Sequence, residues 1–454
     1  MTSKPTHQPL TEQSRHCAAG DPARRTGFMT TLGFALAISC ALIACGGGGG
    51  IALGAGNGSL DASASQGAST TDSVGVVAAS PSSGDASSVA GVSSGGTGSV
   101  TVGVVTGFGS IILNGNGVRI EDAAASVTDE NGANKKGLLR LGMQATVQSS
   151  TAASGVVTAQ SVVIGGDLQG RVGRIDAGQK RFDVLGQTVI VVGGTVFDAS
   201  LPSGLGSMST NDLVEVHGVL DAERHEITAT FLEKKTSVPF FKVQGLVENL
   251  DLANKVFSID GLKVAYAMAD LRTPLVQGAL VRVRLPSLAS APAMWQATQI
   301  SGPAAIGPDR EQFEIEGRIS NFVSAASFNV DGVPVDASAA LFASGTASLA
   351  SGVRVEVTGR LSGGRLIAVR VKIEEERELD QREFQLTGRI SQLVANGASG
   401  SFELRGYTVE YGSETQYRAG AAAGLMNGVL VEVRGVAAGG AQGTRVAATR
   451  VEFQ

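Results

Sequence analysis

Few residues in this chain are equipped for chemistry. His217 and His225 stand within ten residues of Glu215 and Glu226, a set whose donors could hold a divalent cation. No H-E-x-x-H pair or His/Cys cluster accompanies them, and any Ser-His-Asp relay would have to use the same two imidazoles. Glu215, Glu356 and Glu432 recur in V-E-V contexts. Each falls in a different copy of one motif, so they are one position repeated. They are not two carboxylates facing across a cleft, which glycoside hydrolysis requires. Among the aromatic residues, Trp295, Tyr407, Tyr411 and Tyr417 could stack on a sugar or a base. Tyr407 and Tyr411 share strand parity and form the candidate ligand surface. No Gly-Lys-Ser or Gly-Lys-Thr exists to cradle a phosphate, and no basic block argues for nucleic acid. The chain gives no sign of a cofactor or a metal requirement, and the expectation is a protein without catalysis.

The 454-residue chain carries 62 glycines, 5% aromatic and 17% charged residues, and a net charge of −5. Its polar start, with Arg15, Arg24 and Arg25, leads into the apolar run FMTTLGFALAISCALIA, which ends in Leu42-Ile43-Ala44-Cys45. This resembles a bacterial lipoprotein signal over residues 1–44, cut before a Cys45 that takes the lipid. An ordinary secretory signal or a short membrane anchor is the other reading of the run. Arg24-Arg25 fits a twin-arginine signal poorly. Gly46 after the cysteine favours, by the same resemblance, an outer-membrane lipoprotein facing the periplasm or the surface. Cys17 and Cys40 would leave with the signal, so the remainder has no disulfide and must rely on packing. Residues 45–100 are rich in Gly, Ser and Ala and contain no Lys or Arg. Such a stretch cannot bury enough apolar area to offset chain entropy, and a disordered tether is expected.

The rest repeats. Five blocks open with VVTGFGSI, LQGRVGRI, FKVQGLVENL, FEIEGRISNF and FQLTGRISQL, centred on Gly107, Gly170, Gly245, Gly317 and Gly388. Each continues with two short extended runs split by a turn at Asn114-Gly115, Leu185-Gly186, Asp260-Gly261, Asp331-Gly332 or Arg405-Gly406. Each then closes with a period-two strand and a last strand. The boundaries are 101–165, 166–236, 240–303, 311–376 and 382–454. About five strands in 65–75 residues, with no helical period, imply all-β architecture: tandem small OB-like barrels, or alternatively small β-sandwiches. The charged link EEERELDQRE is either solvated or a short helix between barrels.

The best-formed hairpin is LASGVRVEVTGRLSGGRLIAVRVKIE, residues 349–374. Residues directly opposite must share a face, and a two-residue Gly363-Gly364 loop would set Thr358 against Val369. A three-residue loop over Ser362, Gly363 and Gly364 instead pairs Val357 with Val369 and Glu356 with Arg370. In the second block the matching outward slot holds His217, which is therefore expected to face solvent.

TGFGSIILNG, VLGQTVIVVGGTVFD and the repeated L-x-x-G-x-x-V-E-V-x-G are similar to the bacterial domain of unknown function 5666. The resemblance spans residues 101–454 in five copies and is poorest in the third, where PSLASAPAMW interrupts the hairpin. It implies small tandem β-barrels on secreted or lipid-anchored proteins and brings no activity or site. Together these readings describe a non-catalytic, lipid-anchored scaffold or binding protein of the cell envelope. Its expected partners are the membrane, through Cys45, and an envelope protein or glycan. Recognition of an oligosaccharide or small ligand on a barrel face is the alternative.

Overall fold

The computed structural model describes residues 98–115, 120–121, 125–302, 309–438 and 444–454. The signal segment, Cys45 and all but the last residues of the tether lie outside the described residues. More than half of the described residues lie in strands, helices are few and short, and none of them is long and apolar enough to cross a membrane.

The fourth module shows the plan. Its opening strand, Arg310–Ser324, pairs antiparallel with Ser327–Val330, which pairs antiparallel with Val333–Asp336. That third strand runs parallel to the last, Arg365–Ile373. The last strand is antiparallel to Arg354–Ser362, which returns to the opening strand with Ile315 opposite Val357 and Gly317 opposite Val355. The circuit closes on itself, as in an OB-type Greek-key barrel. Inside sit Phe313, Ile315, Phe328, Val335, Val357 and Leu366, all buried. These are the alternate residues of each strand, as period two requires. Modules two, three and five trace the same circuit. In module one the opening strand Ser99–Phe108 pairs with Gln144–Thr151, and Ser126–Asp129 runs parallel to Val157–Ile164.

Two glycine positions make the barrel possible. In the turn between second and third strands, Asn114, Leu185, Asp260, Asp331 and Arg405 have φ from 45° to 55°, and the glycine after each is also at positive φ. This is a two-residue I′-type hairpin, matched to strand twist. The first turn residue folds back over a glycine of the opening strand. A Cβ at Gly317 would stand 2.5 Å from the Asp331 carboxyl carbon, and one at Gly170 2.8 Å from Leu185. In module one the glycine under the turn is Gly103, which would meet Asn114, and not Gly107. The TGFGSI alignment on Gly107 is therefore shifted by four residues. Gly107 and Gly109 instead lie against Gln385 and Thr387 of module five.

The second position is the glycine of V-E-V-x-G. In the 349–374 hairpin, Gly363 and Gly364 form a two-residue turn, with Ser362 opposite Arg365. Glu356 faces Lys372 and Thr358 faces Arg370, because a bulge between Thr358 and Gly359 takes up the extra residue, Val369. Opposite residues do share a face, but the extra residue sits in the strand and not in the expected three-residue loop. Gly359 permits it: a Cβ there would lie 2.1 Å from the Ile367 carbonyl oxygen. The bulge recurs at His217/Gly218 and Arg434/Gly435, and at Gln148/Ser149 in module one.

The modules are joined through their opening strands. Ser99–Val102 runs parallel to Gln312–Ile315, and Gly107–Phe108 parallel to Gln385–Leu386, so module one binds modules four and five. Module two meets module three where Gln169 pairs with Lys242. The charged link after module four forms a short helix, Glu376–Asp380, which buries Leu379 and reaches module two through a hydrogen bond from the Gly193 N–H to Asp380 Oδ1 at 2.7 Å.

Candidate functional site: polar junctions between modules

Period two sends every second side chain of a barrel strand outward. Where barrels dock, those outward positions are no longer wet. Arg282, on the fourth strand of module three, donates to Glu130 Oε1 of module one at 2.9 Å, to Asp167 Oδ1 of module two at 3.0 Å and to Gln244 Oε1 at 2.5 Å. Lys242 donates to Glu130 Oε2 at 2.7 Å and is 4% exposed. Asp167 also accepts the Gly218 N–H at 3.0 Å. Burial alone would raise both carboxylates. For Glu130 the charges of Lys242 and Arg282 outweigh burial and hold it below its usual range. For Asp167 burial prevails over Arg282 and raises it.

His217 belongs to the same junction. It points away from its own barrel, as parity requires, yet it is 2% exposed because module one covers it. The expectation of a solvent-facing imidazole fails for that reason. Its Nδ1 accepts the Gln144 N–H at 3.1 Å, and Gln144 Nε2 donates to the Gly218 carbonyl at 2.7 Å. An accepting Nδ1 places the proton on Nε2, which lies 4.0 Å from Glu215 Oε1. Burial, opposed by Glu215, lowers the histidine to about 4, so it is neutral near pH 7. Glu215 is held at about 2: burial is outweighed by Lys235, Lys242 and the imidazole once that is protonated. With Nδ1 engaged by a backbone amide, His217 has no lone pair to offer a substrate as general base. The junction borders a cavity of about 240 Å³, whose walls include Lys135, Arg140, Glu130, Glu215, His217 and Lys242.

A second junction surrounds the short helix. Arg354, 2% exposed, donates to Glu316 Oε1 at 2.5 Å, to the Glu375 carbonyl at 2.6 Å and to Glu378 Oε2 at 3.0 Å. Arg318 holds both oxygens of Glu376, at 2.6 and 2.7 Å. The acidic link therefore answers arginines in outward slots of module four, a charge match visible in the sequence in retrospect.

The tyrosine pair read as a ligand surface faces inward. Tyr407 is 3% and Tyr411 6% exposed. Parity placed them on one face correctly, but that face is the core. Tyr411 packs on Phe402, and Tyr407 stacks on Phe108 and accepts the Leu141 N–H from module one at 2.8 Å. Trp295 is also buried, edge-on to Phe241. Glu432 is buried and Glu356 is half-buried, each on the V-E-V strand of its own module. His225 is remote from the His217 junction in its contacts: it meets Asp260 and Glu248 of module three, not Glu215.

A family model described as a domain of unknown function (DUF5666) matches residues 169–233, 316–372 and 387–452. These segments are modules two, four and five. Modules one and three, outside the matched segments, follow the same strand plan. No curated protein matches the chain. Among solved structures, Drosophila Unr CSD456 aligns at 16% identity over 48% of this chain and 98% of that one, with a TM-score of 0.14, which bears on neither fold nor function.

Proposed function

We propose that this chain, which carries tandem DUF5666 domains, is a non-catalytic scaffold of the bacterial cell envelope that binds a macromolecular partner through a fixed array of barrels. The observation that carries this reading is the pairing of opening strands between modules, together with the buried charged contacts that cement them. Modules held in one arrangement present their loops at set spacings. A partner that touches several loops meets a high effective concentration without paying to order a flexible string. The run ending at Cys45 supports a lipid anchor in the outer membrane, with the array facing the periplasm or the surface. The partner class is an envelope protein or glycan, and nucleic acid is not expected.

Cys45→Ser tests the anchor: lipid labelling and membrane partitioning should both be lost, and unchanged partitioning overturns it. Binding of the purified chain to peptidoglycan and to a glycan array, compared with cross-linking to envelope proteins in cells, tests the partner class. A hydrolytic activity that depends on one particular carboxylate would overturn the non-catalytic reading.

Small-ligand recognition is the second reading, and the 240 Å³ polar cavity at the His217 junction favours it. With Tyr407 and Tyr411 inside the barrel, the cavity replaces the barrel face as the place to look. Loss of small-ligand binding on Lys135→Ala plus Arg140→Ala would support it.

A further inference from the structure

His225 lies in the turn between the strands Leu213–Asp221 and Glu226–Lys235 of module two, at φ 57°. Asp260 opens the tight turn of module three, at φ 49°, and Glu248 begins the strand Glu248–Asp251. Both backbones are in the left-handed region, which non-glycine residues seldom adopt, and both turns aim a side chain at the same point. His225 Nδ1 contacts Asp260 Oδ1 directly, and Glu248 Oε1 lies 3.9 Å from the same nitrogen. The three donor atoms fall within 4.8 Å of one another.

We propose that His225, Asp260 and Glu248 form a binding site for a zinc-class divalent cation that bridges modules two and three. Imidazole plus two carboxylates suits zinc or a neighbouring transition ion better than calcium or magnesium, which take oxygen-only shells. Two carboxylate charges match the ion's charge. Tetrahedral zinc, with bonds of about 2.0–2.1 Å, sets its ligand atoms roughly 3.3 Å apart. The Glu248 arm must close by a fraction of an ångström and the His225–Asp260 pair must open. The exposed His225 imidazole and the part-exposed Glu248 carboxylate make these movements by small rotations, while the buried Asp260 stays in place. His225 is 46% exposed, so water can complete the shell from the open side.

The outer arrangement singles out one oxygen of Asp260. Gln187 of module two is wholly buried, and its Nε2 donates to Asp260 Oδ2 at 2.5 Å and to the Gln244 carbonyl at 2.6 Å. Asp260 Oδ2 is thereby occupied, and Oδ1 is turned toward His225. Holding a ligand carboxylate by its second oxygen is the usual outer-shell support of a metal site, which makes Gln187 a positioning residue. A ligating imidazole must be neutral, so protons compete with the ion and affinity should fall on acidification.

The test is calorimetric titration of the purified full chain with zinc chloride at pH 7.5 and pH 5.5. Parent, His225→Ala and Glu248→Gln proteins are compared, with circular dichroism confirming that both variants fold. The expected result is one site in the parent, weakened at pH 5.5 and weakened at least tenfold by each substitution. Absence of binding in the parent overturns the proposal and leaves His225–Asp260 as an ion pair between modules. Binding undiminished in His225→Ala also overturns it, and places zinc on other donors such as His7, His16 or the N-terminal cysteines.

Discussion

The hydroxyl of Tyr407, in the last module, accepts the backbone N–H of Leu141, in the first, at 2.8 Å across 266 positions of sequence. Both residues are buried, and the phenol ring also stacks on Phe108 of module one. Burial pushes the phenol up to about 12, so it stays protonated throughout the working range.

Tyr407→Phe keeps the ring and removes the acceptor, leaving the Leu141 amide buried without a partner. A loss of about 1–3 kcal/mol is expected in urea unfolding. Hydrogen exchange at the Leu141 amide should accelerate more than at amides of module three. Unchanged protection at Leu141 would refute the contact.

The bulge glycine should tolerate no side chain. Gly359→Ala sets a methyl 2.1 Å from the Ile367 carbonyl oxygen and should cost about 1–3 kcal/mol or more, read from the unfolding midpoint. Gly412→Ala is the control, because nothing lies within 4 Å of a Cβ there, and it should be nearly neutral. Equal effects of the two would show that the bulge is not the constraint.

The His217 junction predicts a pH dependence with a definite sign. The folded pKa, about 4, is below the ordinary 6.5. The unfolded chain therefore binds the proton more readily, and stability falls as pH drops from 6.5 toward 4, by at most about 1.4 kcal/mol per pH unit. Asp331 works in the opposite direction. Burial and the neighbouring Asp167 push it from the ordinary 3.8 up to about 7, so its contribution is full below 3.8 and is lost as pH rises to 7. Comparing the parent with His217→Asn, whose Oδ1 can still accept the Gln144 N–H, isolates the histidine. The parent's stability relative to the variant should grow as pH rises from 4 to 6.5, and a difference that does not change with pH would remove His217 as the cause.

Glu130 holds two cations of module three, one of them nearly dry. Glu130→Gln strands the Lys242 ammonium, and a loss of about 2–4 kcal/mol is expected. Asp270→Asn breaks the exposed pair with Arg272 and should leave the unfolding midpoint unmoved. A Glu130 variant as stable as the parent would mean that water already solvates the junction.

The barrel itself was legible in the sequence. Alternating valines, five short runs and an X-Gly turn in each block state the local geometry, because period two and positive φ are properties of a few consecutive residues. The position of Gly103 was not legible, since the neighbouring Gly107 and Gly109 imitate the opening pattern while serving the contact with module five. The fate of outward residues was hidden for a related reason. Strand parity says that His217 leaves its own barrel, but what it meets is Gln144, 73 residues away. Tyr407 and Tyr411 carried the reverse ambiguity: parity grouped them, and only the burial of their face says that the face is the core. Docking between modules is written in pairs of polar residues far apart in the chain, with no local period to betray them.

The parallel ladders from Ser99–Val102 to Gln312–Ile315, and from Gly107–Phe108 to Gln385–Leu386, set an order of assembly. The first of the described strands finds these outer neighbours only when the fourth and fifth modules have been synthesised. Until then its edge is bare, and a bare edge recruits strands from other chains. A polypeptide stopped early, after the third module, would keep that edge open for its lifetime, and aggregation with its own kind is its expected end.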